Sequence, residues 1–572
     1  MKQVLKNIFI LIASLLVLGI IIYTAQVITN LRFKNNNWLK AIANNKQISF
    51  SDLNNLLDDL GLGYSSNNAF QQKWLDFIVL LPKLKTDVEL QQKLTNLEPV
   101  VNDIQNGGLM FKIINGDDNA LSSLKELANT LSLLEKYDLK VVKNLNYQVS
   151  NWLSFLGETE TKNYLLLFQE PKISRPSGGM LGDYGILTFE NGKSNLQGDI
   201  IFDLDDLLIK KIIPPLPLQF ISNKWFFHDV NWFFDFPTTA KKVMEFYQET
   251  SLKPEINGVI IINDSVVSSI LSITGPIKLS EYEQTIDANN FSSFFDQQIL
   301  EGAQATSEQR EIFSVFINEL FLKLKHLSTK DYQQLQNILL TSLNNKDIQL
   351  FSDDDQVEYF FDSLNWAGKI TESHQDYLAV VFNNLDENLK IDTRIKNVSL
   401  ETKISTSTIT NVLIIKSPAL ERNDFNRETY LKIYLPKGVK IIKATGGYFK
   451  GVNNDWPFEK LNYQFDPDIN TIESRQIIDS TNSLSIFEES SKTVIGTWAK
   501  LSAQSFTLTY ELPFSPLNLN QWNLIVQKQS GQNIKFSYNL VPSLGGKLAP
   551  TLFEFNKSIP LYQDLDLNFG LE

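Results

Sequence analysis

Two predicted core strands and the short polar turn between them, within residues 163–193, constrain the fold more than any other part of the sequence. An apolar run at 165–168 is typical of a buried strand, and a second run at 184–189 is closed by an Asn-Gly turn pair. Glycine pairs let backbone N–H groups approach a ligand, and guanidinium suits bidentate contacts with oxyanions. The turn therefore predicts a ligand-binding site, whereas the alternative is a tight turn whose arginine caps a carboxylate or a carbonyl. The candidate ligand-binding residues of the turn are Arg175, Ser177, Gly178 and Gly179.

Composition excludes several classes of function. The chain has 572 residues, a formal net charge of −13 and no cysteine. Binding to a phosphate backbone needs a basic stripe, so the charge argues against a nucleic-acid partner. The absence of cysteine rules out disulfides, thiolate catalysis and cysteine metal sites. The length predicts about two to four globular domains.

A charge-free apolar segment near the start of the chain predicts the compartment. No charged residue occurs between Asn7 and Leu31, and about 20 apolar residues span a ~30 Å hydrocarbon core. We expect residues 1–36 to form a short cytoplasmic tail and a transmembrane signal anchor, because no A-x-A cleavage site follows the apolar core. The chain is then a single-pass protein of the cell membrane whose bulk lies outside the cytoplasm. A cleaved signal peptide is the alternative.

Leucines at helical spacing dominate the next segment, from residue 37 to about residue 150. In residues 51–61, apolar side chains recur at i, i+3, i+4 and i+7, and a glycine ends the pattern. Such leucines are typical of a packing face, not of a cofactor site. We therefore predict a helical stalk over 37–150. The strand and helix patterns that follow predict a central α/β domain over 151–284.

Aspartates are concentrated after the second predicted strand. Asp203 and Asp205 lie in a stretch that has four aspartates between residues 199 and 206. Carboxylates in this number can hold a hard divalent cation through oxygen, which makes these two residues the candidate metal ligands and magnesium (Mg) the candidate cofactor. The spacing matches no EF-hand loop, and acidic residues are also favoured at a helix N-terminus, so both interpretations stay open.

An aromatic block at 225–236 holds three further candidate ligand-binding residues. Seven Trp and Phe side chains surround His228, Asp229 and Asn231. A block of this kind buries a loop, stacks on sugar rings or faces lipid. The Asp-Phe-Pro sequence that ends it marks the start of a helix.

The periodicity changes from helical to strand-like near Ile391. Residues 285–382 carry apolar stripes at helical spacing and are interpreted as a helical insertion or a continuation of the central domain. Beyond them, alternating segments such as 431–435 recur between turns that contain proline or glycine. This pattern predicts an antiparallel β-sandwich over 383–572, which is usually a spacer or a binding module. The expected fold class is multidomain α+β.

Several segments occur in an order that resembles a known bacterial family. They are NYLLLFQE, RPSGGMLGDYGILTFENGK, HDVNWFFDFP, INGVIIINDSVVSSILSITGPIKL, NNLDENLKID, YLKIYLPKG, LTYELPF and NLIVQKQSGQ. From about residue 150 to 545 the chain thus resembles the domain of unknown function 4012 family, which implies a single-span extracytoplasmic protein. Where that family tends to show a small residue, this chain has Asp183, a further candidate ligand-binding residue. Where the family tends to show arginine, this chain has His228.

The central segment is also similar, more weakly, to LytR–CpsA–Psr proteins. Those are single-span enzymes that move glycopolymers from polyprenyl pyrophosphate carriers onto peptidoglycan, using arginines, aspartates and magnesium. The resemblance implies that Arg175 matches the arginine after their first core strand and that Asp183 falls near their next aspartate. The chain departs from them at 169–170, where it has Gln-Glu, and at 199–206, which lacks their next arginine. A shared fold does not establish shared chemistry.

Two functions remain open from the sequence. In the first, the central domain of a membrane-anchored envelope protein binds or transfers a polyprenyl-pyrophosphate-linked glycopolymer, so that the partners are the membrane and a lipid-linked glycan or cell-wall polymer. Such a protein is a glycopolymer phosphotransferase if it is an enzyme. In the second, the chain is a non-catalytic adhesion or assembly protein of the envelope. The observation that separates them is whether the candidates converge on one pocket, in particular Arg175, Asp183, Asp203 and Asp229.

Overall fold

The computed structural model describes residues 108–570 with short gaps. The gaps are 138–139, 253, 302–311, 313–314, 317–318, 321, 386–390, 406, 452–455, 516–520 and 543–554. The predicted anchor at 1–36 and most of the predicted stalk lie outside the described residues. Among the helices that are described, none combines the length and the apolar character that a membrane crossing requires.

A five-stranded mixed sheet forms the centre of the first half. Its strands are β1 (Lys162–Arg175), β2 (Gly178–Glu190), β3 (Lys193–Ile200), β4 (Gly258–Asn263) and β7 (Ile348–Ser352). A separate small hairpin consists of β5 (Ile277–Leu279) and β6 (Gln284–Ile286). The sheet order is β3-β2-β1-β4-β7, in which β1 and β4 are parallel and the other neighbours are antiparallel. Strand β1 is therefore central, which accounts for the burial of its apolar run on both faces.

Helices cover both faces of this sheet. On one face pack α1 (Gly108–Ile114), α2 (Ser122–Leu134), α3 (Lys140–Phe155), α6 (Asp264–Thr274), α7 (Phe291–Glu301), α8 (Thr329–Asn344) and α9 (Asp355–Ser363). On the other face pack α4 (Ile201–Leu207) and α5 (Phe236–Glu249). Alternate side chains of β1 face the two layers, as the pleat requires: Leu166 and Phe168 join the first core, while Leu165 and Leu167 join the second.

The helices α1 to α3 belong to the central half and do not form a stalk. Trp152 of α3 lies edge-on to Phe360 of α9, with ring centroids 4.9 Å apart. Phe155, also in α3, lies 4.4 Å from the ring of Tyr164 in β1. The fold-class prediction of a helical stalk is therefore wrong for the part of it that is described, because the leucine faces are buried against the central sheet.

Two further sheets pack face to face in the second half. The larger sheet contains β8 (Asp376–Asn383), β11 (Thr429–Leu435), β13 (Gly447–Tyr448), β14 (Ile477–Asp479), β15 (Leu484–Glu489), β16 (Lys492–Ala499), β18 (Gln521–Gln527) and β21 (Leu565–Gly570). The smaller sheet contains β9 (Lys396–Ile404), β10 (Ile409–Lys416), β12 (Lys440–Thr445), β17 (Phe506–Glu511), β19 (Ile534–Pro542) and β20 (Phe555–Pro560). One apolar core lies between them and includes Leu431, Trp522 and Phe536.

Both sheets of the second half are mixed, which corrects the fold-class prediction. The larger has the order β14-β15-β16-β11-β8-β18-β21, with β13 beside β16, and the smaller has the order β12-β17-β10-β9-β19-β20. Strand β18 is parallel to β8, and β19 is parallel to β9, so the predicted antiparallel sandwich is wrong. The described chain is a mixed α/β protein with several sheets. Strand β8 also precedes the predicted domain boundary at residue 383.

The central strands β8, β11 and β16 of the larger sheet are buried on both faces. One face packs on the smaller sheet, and the opposite face packs on the aromatic block of the central half. Trp232 stacks on Tyr430 of β11, with ring centroids 6.4 Å apart and planes 14° apart. Phe234 lies 5.1 Å from the ring of Tyr434. The aromatic block therefore serves to join the two halves of the chain.

Candidate functional site

The turn that was predicted to bind an anion is a two-residue hairpin turn packed tightly on its own strands. Arg175 ends β1 and pairs with Gly178 of β2, so residues 176–177 form the turn. A Cβ on Gly178 would lie 2.1 Å from Nε2 of Gln169, and one on Gly179 would lie 2.1 Å from a carbonyl oxygen of β1. The N–H of Gly179 donates to Oε1 of Gln169 at 3.0 Å. The glycine pair thus permits close packing inside the protein.

Arg175 is fully buried, and its guanidinium is bound by groups of the same chain. Nε donates to Oδ1 of Asp229 at 2.6 Å. Nη1 donates to the carbonyl oxygens of Ser174 and Asn384, at 3.0 and 2.8 Å. Burial opposes ionisation of Asp229, but the charges of Arg175 and His228 outweigh it and hold the pKa of that carboxyl well below its usual range. The candidate ligand arginine therefore takes part in an internal ion pair.

His228 extends this pair into a row of four alternating charges. Its Nδ1 lies 2.5 Å from Oδ2 of Asp205, and its Nε2 lies 3.4 Å from Oδ2 of Asp229. Burial lowers the pKa of the imidazole, but the two carboxylates reverse this effect and raise the pKa of His228 to about 10. In the row Asp205–His228–Asp229–Arg175, each charge therefore has a neighbour of opposite sign within the protein.

The other candidate residues are held within the hairpin or by elements that pack on it. Asn231 is fully buried and donates from Nδ2 to the carbonyl of Gly179 at 2.7 Å. The carbonyl of Ser177 accepts from Nε2 of Gln349 at 2.8 Å. Asp183 is buried in β2, where it pairs in register with β1 and β3. The hairpin, the aromatic block and β7 therefore meet at one buried polar junction.

The predicted metal ligands belong to helix α4. Asp205 contacts His228 and also accepts the backbone N–H of that residue at 3.3 Å, while Asp203 lies two residues earlier in the helix. Within the described residues, carboxylates with metal-like spacing occur elsewhere, at Glu245, Asp466 and Asp468. The ammonium of Lys242 lies among these three carboxylates, at 2.6, 2.8 and 2.8 Å. That cluster therefore already holds a cation of the protein, and it ties α5 to α10 (Pro467–Ser474).

The larger sheet of the second half completes the surroundings of Arg175, and the sequence reasoning missed this contribution. Gln529 donates from Nε2 to the carbonyls of Arg175 and Phe382, both at 2.9 Å. Its Oε1 accepts the N–H of Phe382 at 2.8 Å. The polar run QKQSGQ at 527–532, directly after an apolar strand, is the sequence signal for this contact.

A second charged cluster lies at the carboxyl ends of the parallel strands β1 and β4, where open α/β sheets commonly place ligands. Nζ of Lys172 lies 2.6 Å from Asp296, 3.3 Å from Glu170 and 3.7 Å from Asp264. Burial and the neighbouring carboxylate of Asp264 raise the pKa of Glu170 well above its usual range. The cluster thus holds one ammonium among acidic groups, and helix α7, which carries Asp296, closes it.

An apolar cavity of about 110 Å³ lies at the seam between the two halves. The face of the larger sheet supplies Tyr430, Ser485, Phe487 and Trp498 to its wall. The central half and α10 supply Phe220, Trp232, Ile469, Ile472 and Glu473. Residues at its mouth that are more than a third exposed are Leu216, Phe449 and Ile478. This cavity, unlike the Arg175 junction, has apolar surface available to another molecule.

Charges that line the cavity are bound within the protein. Nζ of Lys432 lies 2.6 Å from Oε2 of Glu489. The other carboxylate oxygen of Glu489 accepts from the hydroxyl of Tyr434 at 2.6 Å. Oε1 of Glu473 accepts the N–H of Leu216 at 2.6 Å. What the cavity offers to a ligand is therefore chiefly its aromatic and aliphatic surface.

Residues 159–299 match the model of a family described as protein of unknown function (DUF4012). This segment belongs to the DUF4012 family. The DUF4012 segment contains the Arg175 hairpin, the row of four charges and the strands β1 to β6, so the predicted family resemblance is confirmed over these residues. The likeness to LytR–CpsA–Psr proteins stays a prediction. No curated protein and no solved structure matches the chain.

Proposed function

We propose that this DUF4012 protein is a non-catalytic assembly protein of the cell envelope, in which the central half and the two C-terminal sheets act as one rigid body. The observation that carries the proposal is the use of Arg175: Nε is bound by Asp229 and Nη1 by two carbonyl groups of the chain, while Nη2 is buried without a hydrogen-bond partner among the described residues. The extracytoplasmic location rests on the charge-free segment between Asn7 and Leu31, which suits a membrane signal anchor.

Pyrophosphate binding through Nε or Nη1 of Arg175 would require the protein to give up contacts that it already has. Hydrogen bonds to charged groups contribute roughly 1.5–3 kcal/mol each. An incoming anion would also displace Asp229, which would then be a buried carboxylate with only His228 beside it. These costs favour a structural role for Arg175 over the binding of a polyprenyl-pyrophosphate-linked glycopolymer.

Other contacts across the seam support a rigid body. Lys242 of α5 binds Asp466 at 2.8 Å, and both side chains are buried. Lys346 binds Asp564 at 2.6 Å, from the end of α8 to the segment before β21. Gln529 adds its hydrogen bonds to the two backbone segments at Arg175 and Phe382. Partially buried ion pairs and satisfied amide groups of this kind fix orientation between packed elements.

Paired measurements on Arg175 distinguish this proposal from the alternative. In the alternative, the central domain binds or transfers a lipid-linked glycan. Wild type, Arg175→Lys and Arg175→Ala would be titrated calorimetrically with a polyprenyl pyrophosphate analogue, with and without Mg2+, and their melting curves recorded. We expect no saturable binding by the wild type and a lower Tm for both variants. Saturable binding that both variants lose at unchanged Tm would overturn the proposed function.

A protease-accessibility measurement tests the extracytoplasmic location of the chain. Protease added to intact spheroplasts is expected to digest the chain, because its bulk lies outside the cytoplasm. Protection of the whole chain until the membrane is lysed would contradict the extracytoplasmic assignment.

A further inference from the structure

The mouth of the seam cavity adjoins a free edge of the larger sheet. Strand β14 is the outermost strand of this sheet and pairs with β15 on one side. Within the described part of the chain, no strand pairs with its other side. Its apolar residues Ile477 and Ile478 are 66% and 52% exposed. An exposed apolar edge strand presents unpaired N–H and C=O groups, which is a template for another strand.

The register of β14 places this edge directly beside the cavity. Ile478 pairs with Ser485 of β15, and both residues line the cavity. Successive side chains of a strand point to opposite faces, so every second side chain of a strand added to β14 would lie on the cavity side. Extended peptides that add to a sheet edge obtain affinity from main-chain hydrogen bonds and specificity from pockets for alternate side chains.

The charges around the mouth indicate the chemistry of the occupant. Lys450 binds Glu428 at 2.8 Å, and Lys432 binds Glu489 at 2.6 Å. These two lysines are already paired within the protein, and Glu473 in the wall has a backbone N–H as its partner, so the paired lysines offer no free charge to an anionic glycopolymer or an anionic lipid surface. A neutral, apolar group is the complementary occupant.

The size of the cavity limits that group to one side chain. An engineered protein cavity of about 150 Å³ binds benzene, and the present cavity measures about 110 Å³. A single large aliphatic side chain fits this space better than a sugar ring with its hydroxyl groups, since the wall is largely aromatic and aliphatic.

We propose that β14 and the seam cavity form a docking site for an extended segment of a partner protein. The segment adds a strand to the free edge of β14 and inserts one apolar side chain into the cavity. This inference rests on the proposed assembly role, for which it names the interaction surface and the kind of partner.

The test is selection of random 12-residue peptides, displayed on phage, against the full-length protein in detergent. Enriched peptides would be synthesised and their affinities measured for the wild type, Ile478→Lys and Ser485→Leu. The first variant places a charge on the strand edge at the mouth, and the second fills part of the cavity. The control is Ile442→Lys, since Ile442 is 44% exposed on β12, the edge strand of the smaller sheet. Circular dichroism would establish that each variant is folded.

We expect the enriched peptides to share one large apolar residue, and their affinity to fall at least roughly tenfold for both site variants but not for the control. Failure to enrich any peptide, or affinities that neither site variant changes, would overturn the docking site. Flotation with phosphatidylglycerol vesicles that is lost in Ile478→Lys, without peptide binding, would overturn it in favour of a lipid surface. Pyrophosphate binding that depends on Arg175 would instead overturn the proposed function, so the two failures are distinguishable.

Discussion

Nε of Arg175 and Oδ1 of Asp229 lie 2.6 Å apart, and both side chains are buried. Arg175 ends β1, whereas Asp229 lies in the short 3-10 helix Phe227–Asp229 of the aromatic block. A third segment joins them, because Nη1 of Arg175 also donates to the carbonyl of Asn384. An intact buried ion pair contributes modestly to the stability of the folded protein. Removal of one partner is costly, because it leaves the other charge buried and unpaired. The pair therefore helps to hold the hairpin, the aromatic block and the end of β8 together.

Replacement of Arg175 by alanine is expected to lower the free energy of unfolding by about 3–5 kcal/mol, because Asp229 remains buried without its main counter-charge. Lysine at this position retains the charge but not the planar set of donors, so Arg175→Lys is expected to cost about 1.5–3 kcal/mol. Urea unfolding followed by tryptophan fluorescence measures both values. Arg422→Ala is the control, since Arg422 is exposed and its loss is expected to change stability by less than about 0.5 kcal/mol. A loss for Arg175→Ala that is no larger than the control would contradict a structural pair.

Local features around Arg175 were predictable from sequence, whereas its partners were not. The apolar runs on both sides of the turn predicted two strands, and β1 and β2 occupy these positions. The bonds that decide the role of Arg175 come from Asn384, 209 residues later, and Gln529, 354 residues later. A periodic pattern identifies a buried face but not the element that covers it. The burial of Arg175 could not be predicted for this reason.

The same limit explains the errors in the fold class. Leucine faces in α1 to α3 indicated packing, but their partner is the central sheet. Strand β8 is buried over its whole length and reads as a continuous apolar run without alternation. The periodicity of such a run does not distinguish a buried strand from a buried helix. The start of the strand-like alternation was therefore predicted after β8, near Ile391. The parallel pairs β8 with β18 and β9 with β19 join strands that are far apart in sequence, and a periodic pattern does not reveal such pairing, so an antiparallel sandwich was predicted.

The row of charges at His228 predicts a pH dependence of stability. The pKa of His228 is raised to about 10 in the folded protein, against roughly 6.5 in an unfolded chain. A raised histidine pKa contributes stability that is complete below the unfolded value and is lost as pH rises through the folded value. His228→Gln is therefore expected to lower stability most at about pH 6 and to flatten its decline between about pH 6.5 and 10. Urea midpoints measured across this range provide the comparison.

His374→Gln is the matched control for that experiment, because His374 is exposed. Other groups that titrate in the same range, such as Glu170, are present in all three proteins. Their contributions to the free energy of unfolding cancel when a variant is compared with the wild type. A difference between wild type and His228→Gln that stays constant from pH 6 to 10 would show that the imidazole does not carry the predicted charge.

The glycine pair of the turn is expected to be intolerant of a methyl group. A Cβ on Gly179 would lie 2.1 Å from backbone atoms of Glu170, so the two strands of the hairpin would have to separate. We expect Gly179→Ala to lower the free energy of unfolding by about 1–3 kcal/mol or more. Gly451→Ala is the control, since a Cβ there meets no atom within 4 Å, and thermal melting of both variants distinguishes them. Equal melting temperatures would mean that the hairpin accommodates the methyl group and that the glycine at 179 is not needed for close packing of the strands.

The ion pair of Lys432 and Glu489 at the cavity is expected to behave as a coupled unit. The side chains are 2% and 3% exposed, and burial lowers the pKa of Lys432 despite the nearby carboxylate. Lys432→Met leaves Glu489 buried with its hydrogen bonds but without a counter-charge, which is expected to cost about 3–5 kcal/mol. The double variant Lys432→Met/Glu489→Gln is expected to recover most of this loss, because glutamine still accepts from the hydroxyl of Tyr434.

The neighbouring pair of Lys437 and Glu488 provides the control for this cycle. It lies on the same sheet with a similar distance of 2.9 Å, but its side chains are 61% and 60% exposed. Because water screens such a pair, Lys437→Met is expected to lower the free energy of unfolding by less than about 1 kcal/mol. The double variant Lys437→Met/Glu488→Gln is expected to show little coupling between the two positions. Urea unfolding of the wild type, the four single variants and the two double variants at neutral pH measures both cycles. Equal costs for Lys432→Met and Lys437→Met would mean that water reaches Glu489 through the cavity, and the cavity would then be a polar site instead of an apolar one.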